Sequence, residues 1–443
     1  MKYLFLCCLS SALLVVVGLL PVAAQDVVIP RGQLLPDQIR WRPTADPDRI
    51  VLSWSADPST SAAVAWRTDV SVKEAVGQIA LAEDGPKFSD KAVSVMATTV
   101  PLETDLGTSH RHSVAFTGLK PDERYVYRVG DGANWSEWSQ FRTAAAEPQP
   151  FQFAYFGDSQ NSLKAYWSRV VREAYAEAPR AAFMIHAGDL INNAKKDAEW
   201  GEWFYASGFI HRSTPCIATP GNHEYTTQGG SKERSLTTQW RPTFALPENG
   251  PDGLKESCYW FDYQGARIIS LNSNELFREQ AAWLRTVLSN NPSQWTIVTC
   301  HHPLYSSKAG RDNEELRSTW QPVFDDFKVD LVLQGHDHTY ARTGLMTAES
   351  NLETGQARQD SQAGTVYVVS VSGPKMYELG RRPFMKRVAE DTQLYQVIDI
   401  DDDRLTYRAF TATGRLYDQF QLQKGAPNRL IEQIPDTPEN VRQ

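Results

Sequence analysis

The sequence predicts an all-β sandwich followed by an α/β layered domain, and three observations predict it. Short alternating apolar runs at Ile50–Trp54, Ala62–Trp66, Gly77–Leu81, His112–Phe116 and Tyr125–Val129 carry the period of half-buried strands. From Phe151 onward, strand-like and helix-like stretches alternate. Several apolar runs in this second part end abruptly in Asp, Asn or His, at the place where an open α/β sheet presents its ligands. The expected boundaries are a strap over 25–45, the sandwich over 46–146, the α/β domain over 151–424 and a weakly structured tail over 425–443. Glu147-Pro148-Gln149-Pro150 reads as the linker between the domains.

With 443 residues, 41% hydrophobic and 22% charged, the chain can build two or three domains, each with its own core. A net charge of −8 argues against a nucleic-acid binder held by phosphate neutralisation, and no basic run reverses that. Residues 1–24 read as a leader: Lys2, an apolar stretch from Leu4 to Leu20, then Val22-Ala23-Ala24 as a cleavage site. An uncleaved anchor is the alternative, but Gly18, Pro21 and the Ala-Ala ending favour cleavage before Gln25. The mature chain is therefore expected in the periplasm or outside the cell, with no membrane span. Cys7 and Cys8 precede most of the apolar stretch, so they do not fit lipid attachment. Cys216, Cys258 and Cys300 then remain, an odd number that forms no disulfide framework. Cys216 and Cys300 lie in apolar runs and read as small buried hydrophobes.

Within the sandwich, Leu119-Lys120-Pro121-Asp122-Glu123-Arg124-Tyr125 resembles the tyrosine corner of fibronectin type III domains, and Trp66 is placed as a core tryptophan. Trp135-Ser136-Glu137-Trp138-Ser139 resembles the box of cytokine-receptor modules, which mostly decorates the last strands of such sandwiches. His110 and His112 read as solvent-facing strand residues. Asn134-Trp135-Ser136 is a glycosylation sequon whose use depends on the host. In the second domain, three helical stripes are legible: Leu163/Trp167/Val170/Val171/Ala174, Phe277/Ala281/Leu284/Leu288 and Leu316/Trp320/Val323/Phe324/Phe327. Thr226–Glu256 lacks periodicity and reads as a long loop forming a substrate wall, and Ala348–Gly364 reads as a polar, mobile stretch. Thr365–Ser372, Gln393–Ile400, Leu405–Phe410 and Leu416–Leu422 read as strands that complete the sheets.

The run-ending residues are Gly157-Asp158-Ser159-Gln160, His186 to Asn192 (His-Ala-Gly-Asp-Leu-Ile-Asn), Gly221-Asn222-His223-Glu224, His301-His302 and Gly335-His336-Asp337-His338. Oxygen and imidazole donors of this kind suit two nearby cations bridged by a carboxylate. The ordered set resembles the metallophosphoesterase superfamily. With the N-terminal sandwich and Val298-x-x-His301, it is most similar to the purple acid phosphatases. The resemblance implies two packed β-sheets flanked by helices. It implies one metal on Asp158, Asp189 and His338, and a second on Asp189, Asn222, His301 and His336. It further implies in-line attack on phosphorus by a metal-bound hydroxide, with His223 protonating or stabilising the leaving alkoxide.

Two departures change the expected cofactor. The purple family has a Tyr ligand three residues after the bridging Asp, where this chain has Asn192. Without phenolate no tyrosinate–Fe(III) colour is expected, leaving Fe, Mn or Zn as candidates. Gln160, two after Asp158, is either a ligand through its amide oxygen or a holder of water. His302 either faces phosphate, as a second catalytic candidate, or supports its neighbour. His186 is expected to orient the loop, Glu224 to fix His223, and Asp337 to lie at the surface or behind the site; His211 has no assigned role. Asn222, His223, Tyr305, Lys308 and Arg311 are candidate substrate contacts. The leading expectation is a phosphomonoesterase. The alternatives are a phosphodiesterase on nucleotides or glycerophosphodiesters, and a surface-ligand binding module beside a vestigial enzyme domain.

Overall fold

The structure is a computed structural model that describes residues 34–227, 231–350, 352, 364–425 and 428–442. The expected leader, residues 25–33 of the strap and most of 348–364 lie outside the described residues. The sandwich is two four-stranded antiparallel sheets. One runs Asp48–Ser53, Ser61–Thr68, Gly107–Thr117, Thr98–Thr104 in spatial order. The other runs Val93–Met96, Val76–Leu81, Arg124–Gly130, Ser139–Arg142. Alternate residues of the two sheets, among them Leu52, Val64, Trp66, Val114, Phe116 and Tyr127, interdigitate as one core. The Lys120 backbone N–H donates to the Tyr125 hydroxyl at 2.9 Å, closing the corner. Trp135 and Trp138 lie against the Arg128 guanidinium, at 4.2 and 4.6 Å from its carbon, so this box packs against its own sheet.

His112 corrects the expectation of a solvent-facing strand. It shares a face with Val114 and Phe116 and is buried against Trp66, with its ring nitrogens on the Thr68 and Thr99 hydroxyls at 2.7 and 2.9 Å. Burial, with His110 and Arg111 nearby, lowers its pKa to about 4. His110 is half-buried, with Nδ1 at 2.7 Å from the Val72 carbonyl oxygen.

The second domain stacks two seven-stranded sheets. In the first, Phe151–Phe156, Met184–His186 and Cys216–Ala218 run parallel. They are extended by antiparallel Leu394–Asp401, Arg404–Thr411, Leu416–Gln423 and Arg429–Glu432. In the second, Ala266–Leu271, Trp295–Cys300, Leu331–Gln334 and Thr365–Val369 are parallel, with Tyr259–Tyr263, Tyr340–Met346 and Met385–Ala389 antiparallel. The two-residue period of a strand decides what each face meets. Ile268, Ile297, Leu331, Leu333, Val366 and Val368 point at the first sheet. Their neighbours Ile269, Leu271, Val298, Val332 and Tyr367 point at the helices Phe277–Ser289 and Glu314–Asp326. On the far side, Trp167–Glu177 buries Trp167, Val170, Val171 and Ala174, the i, i+3, i+4, i+7 stripe visible in the sequence.

The tail expected to be weakly structured begins instead as an edge strand, Arg429–Glu432. Beyond it, the Asn440 N–H bonds the Tyr417 hydroxyl at 3.0 Å and the Arg442 N–H bonds Glu390 at 2.7 Å.

The sandwich is welded to the second domain. Trp54 packs its ring within 5.4 to 5.8 Å of Phe183, Phe261 and Tyr263 and belongs to the large common core. Arg49 grips buried Asp197 through both carboxylate oxygens, at 2.6 and 2.7 Å, with Arg67 at 3.3 Å and Arg111 at 3.7 Å. Asp197 opens the helix Asp197–Ser207, and its N–H is accepted by Asp105 of the sandwich at 2.9 Å.

Candidate metal centre

The parallel strands of the two sheets point their C-terminal ends toward one place. The first sheet delivers Asp158, Asp189, Asn222 and His223; the second delivers His301, His302, His336 and His338. The backbone there is bent sharply: Asp189, His336 and His338 all have positive φ, at 50°, 75° and 49°. His336 and His338 are therefore not in an extended segment, and such strain persists where the surroundings fix the side chains. Gly188 has φ +86°, and a Cβ on it would meet Gly221 and His301 at 2.7 Å.

Donor atoms converge in two groups that share Asp189 Oδ2. His301 Nδ1 donates to the Ala187 carbonyl at 2.9 Å. That turns Nε2 toward Asp189 Oδ2 at 3.3 Å, Asn222 Oδ1 at 3.1 Å and His336 Nδ1 at 3.1 Å. His338 Nδ1 donates to the Lys375 carbonyl at 2.8 Å, which leaves Nε2 3.0 Å from Asp158 Oδ2. Gln160 Nε2 lies 2.9 Å from Asp189 Oδ2 and 3.2 Å from His338 Nε2, while its Oε1 is buried without a hydrogen bond among the described residues. Lone pairs crowded this closely repel one another unless positive charge sits between them. The titration behaviour agrees. Against the cost of burial, Asp189 and Asp158 hold His301 up at about 10. Asp158, also despite burial, is pulled far below the usual carboxylate range by His338 and His301. The residues thus fit a pair of cations bridged by Asp189.

The supporting contacts correct several expectations. Glu224 does not fix His223. Its carboxylate accepts the N–H groups of Asp189 at 2.9 Å, Leu190 at 2.9 Å and Gly221 at 2.7 Å, pinning the bridging loop to the Asn222 loop. His223 is held instead by the Asn192 carbonyl, which accepts from Nδ1, and its Nε2 lies 3.8 Å from Asp189 Oδ2. Of the two places expected for Asp337, the structure gives the one behind the site: it is buried, accepting from Ser306 at 2.6 Å, the Ser307 N–H at 2.7 Å and Arg311 at 2.8 Å. Tyr305 is not in the cleft: it is buried beside Tyr367 and Phe384, with its hydroxyl on Gln321. His186 does not orient the loop, because its ring turns to the helix side of the sheet and makes no hydrogen bond among the described residues.

Arg311 and Lys308 do stand at the rim. Arg311 is anchored on Asp337, and Lys308 Nζ sits 4.1 Å from the Tyr377 ring centroid, which itself is 4.5 Å from that of His338. The His302 ring lies 4.3 Å from that of His336, tilted by 54°, and burial, then His301, lowers its pKa to about 3. Ser273 accepts the His302 N–H at 2.8 Å and meets Nδ1 at 2.9 Å. When it donates to Nδ1, the neutral ring keeps its proton on Nε2. Ser273 follows the parallel strand Ala266–Leu271 at the same edge, but a serine there carries no metal-donor signal in the sequence, and Tyr377 follows no strand directly. On the His223 side, the supposed loop forms the hairpin Tyr225–Thr227/Arg234–Leu236, which walls a polar cavity of about 280 Å³ with Asn192 and His223. Trp240 and Phe244 of the same stretch are buried in the core.

Residues 47–143 match the purple acid phosphatase N-terminal domain and residues 151–340 the calcineurin-like phosphoesterases. A relative from Mycobacterium tuberculosis is 26% identical over 371 residues, covering 73% of this chain and 68% of that protein. Acid phosphatase type 7 of Danio rerio is 28% identical over 294 residues, covering 58% of this chain and 63% of its own. The purple acid phosphatase of yellow lupin (Lupinus luteus) seeds superposes with a TM-score of 0.71 at 18% identity, covering 86% of this chain and 74% of its own. The fold and site define a metal-dependent phosphoester hydrolase. The chain belongs to the calcineurin-like phosphoesterases that carry the purple acid phosphatase N-terminal domain.

Proposed function

We propose that the chain is an exported hydrolase of phosphomonoesters; the observation that carries the reaction is the pair of donor groups sharing Asp189 Oδ2, with His223 at 3.8 Å. Asp158, Asp189 and His338 would hold one cation, and Asp189, Asn222, His301 and His336 the other. Gln160 joins the first set once its amide is turned to present Oε1. When bound, two such cations neutralise phosphoryl charge and make water nucleophilic near neutral pH.

The remaining work falls to this chain's side chains. His302, neutral across the working range, donates from Nε2 to a non-bridging oxygen. Arg311, held in place by Asp337, adds positive charge at the rim. His223, with Nδ1 fixed on the Asn192 carbonyl, gives its Nε2 proton to the departing alcohol, which leaves into the cavity beside the hairpin. Export rests on the pattern of residues 2–24.

His223→Ala is expected to lower kcat on an aryl monoester about 10²- to 10⁴-fold, the usual worth of a general acid. Metal content should stay at the wild-type level. The loss should shrink with substrates whose leaving group needs no proton. An equal loss on every leaving group would remove His223 from this role.

A monoester reading predicts faster turnover of a chromogenic monoester than of its matched diester under the same metal loading. A clear diester preference would replace it with the phosphodiesterase reading.

A further inference from the structure

On the opposite face of the first sheet from its partner sheet lies a second cluster that the hydrolase does not use. His186 ends the strand Met184–His186, Cys216 begins its parallel neighbour, and His211 comes from the short helix Ile210–Ser213 that leads into that neighbour. A ring nitrogen of each His and the Cys216 sulfur lie within 4.8 Å of one another. All three residues are at most 1% exposed, and neither His186 nor His211 has a hydrogen bond at either ring nitrogen among the described residues. Leaving such groups unpaired in a core is destabilising. They point into a shell of aromatic rings: Phe156 stacks on His186 at 5.2 Å, and Trp203 lies 4.4 Å from His211. Cys216 is a free thiol.

We propose that His186, His211 and Cys216 form a third cation site, built for a monovalent copper ion. Two imidazoles and one sulfur are a soft, three-donor set of the kind that selects Cu(I) or Zn(II). Charge decides between them. Among the described residues the cluster is His186, His211 and Cys216 with no carboxylate in it, and burial depresses both imidazoles, His186 further depressing His211. One thiolate neutralises Cu⁺ completely, whereas Zn²⁺ would leave a net positive charge in an aromatic core, where an unpaired charge is costly. Met184 pairs in register with Cys216 on the adjacent strand, which puts a thioether on the same sheet face. Binding forms one S–Cu and two N–Cu bonds. The thiol proton leaves to solvent, and no electron is transferred.

The full chain, both produced in copper-supplemented medium and titrated anaerobically with Cu⁺ against a chromogenic cuprous chelator, tests this. Wild type and Cys258→Ala are expected to hold one more copper per chain than Cys216→Ala. X-ray absorption should show a sulfur and two imidazole scatterers in the protein that holds the extra copper. His211→Phe, which keeps an aromatic ring in the shell, should lose the same equivalent while retaining wild-type phosphatase activity. Copper equal in wild type and Cys216→Ala, copper without sulfur ligation, or Zn²⁺ displacing Cu⁺ from the wild-type site would each overturn the assignment.

Discussion

Asp189→Asn is expected to lower phosphatase turnover by more than about 100-fold, beyond what loss of a supporting contact usually produces. It should also reduce bound metal from two equivalents to one or none. Asp189 Oδ2 faces both donor groups, and an amide offers one neutral oxygen where two cations need an anion between them. Glu224→Gln makes the contrast. Among the described residues Glu224 hydrogen-bonds no candidate ligand side chain; it holds the N–H groups of Asp189, Leu190 and Gly221. An amide NH₂ turned toward those donors shifts the loop, so a fall of about 10- to 100-fold is expected, with metal affinity reduced but not abolished. Equal metal content in wild type and Asp189→Asn would remove Asp189 as the bridge.

Asp197→Ala is expected to destabilise the protein by about 3–5 kcal/mol, because it leaves Arg49, Arg67 and Arg111 buried around a missing partner. Denaturant unfolding measures this, and a change under about 1 kcal/mol would show that the cluster does not join the domains. The pH dependence has a definite sign. Although burial pushes the Asp197 carboxyl up, Arg49, then Arg111 and Arg67, pull it below its ordinary value. A depressed carboxylate contributes stability above its unfolded pKa and loses it as pH falls through the folded one. The gap between wild type and Asp197→Asn should therefore be widest near neutrality and close in acid, below the ordinary Asp range of about 4.

The ligand candidates were legible because each follows an apolar run, and a parallel strand cannot help delivering its next residues to the same edge as its neighbours. What supports them was not. The sequence shows Glu224 beside His223, but two of the backbone N–H groups that donate to its carboxylate, those of Asp189 and Leu190, lie more than thirty residues away in chain order. Tyr305 follows the His301-His302 loop, yet by that point the chain has turned back into the core. His112 was misread although its alternation with Val114 and Phe116 already placed it on the buried face. The helix Asp197–Ser207 carried no stripe because it is buried against the sandwich on one side and the sheet on the other, with Trp200, Trp203, Phe204 and Ala206 around it. The edge strand at Arg429–Glu432 is short and half polar, and only pairing with Leu416–Gln423 reveals it.

The central claim, a binuclear centre in which Asn192 stands where the purple family has tyrosine, is tested most directly by metal analysis and a visible spectrum on one chelator-free preparation. Asn192 contributes its carbonyl to His223 and supplies no phenolate. The expected result is two equivalents of Mn, Zn or Fe bound in a Cys216→Ala background, with no tyrosinate charge-transfer band. A purple band would contradict the reading of Asn192, and fewer than two equivalents in fully active protein would contradict the binuclear centre itself.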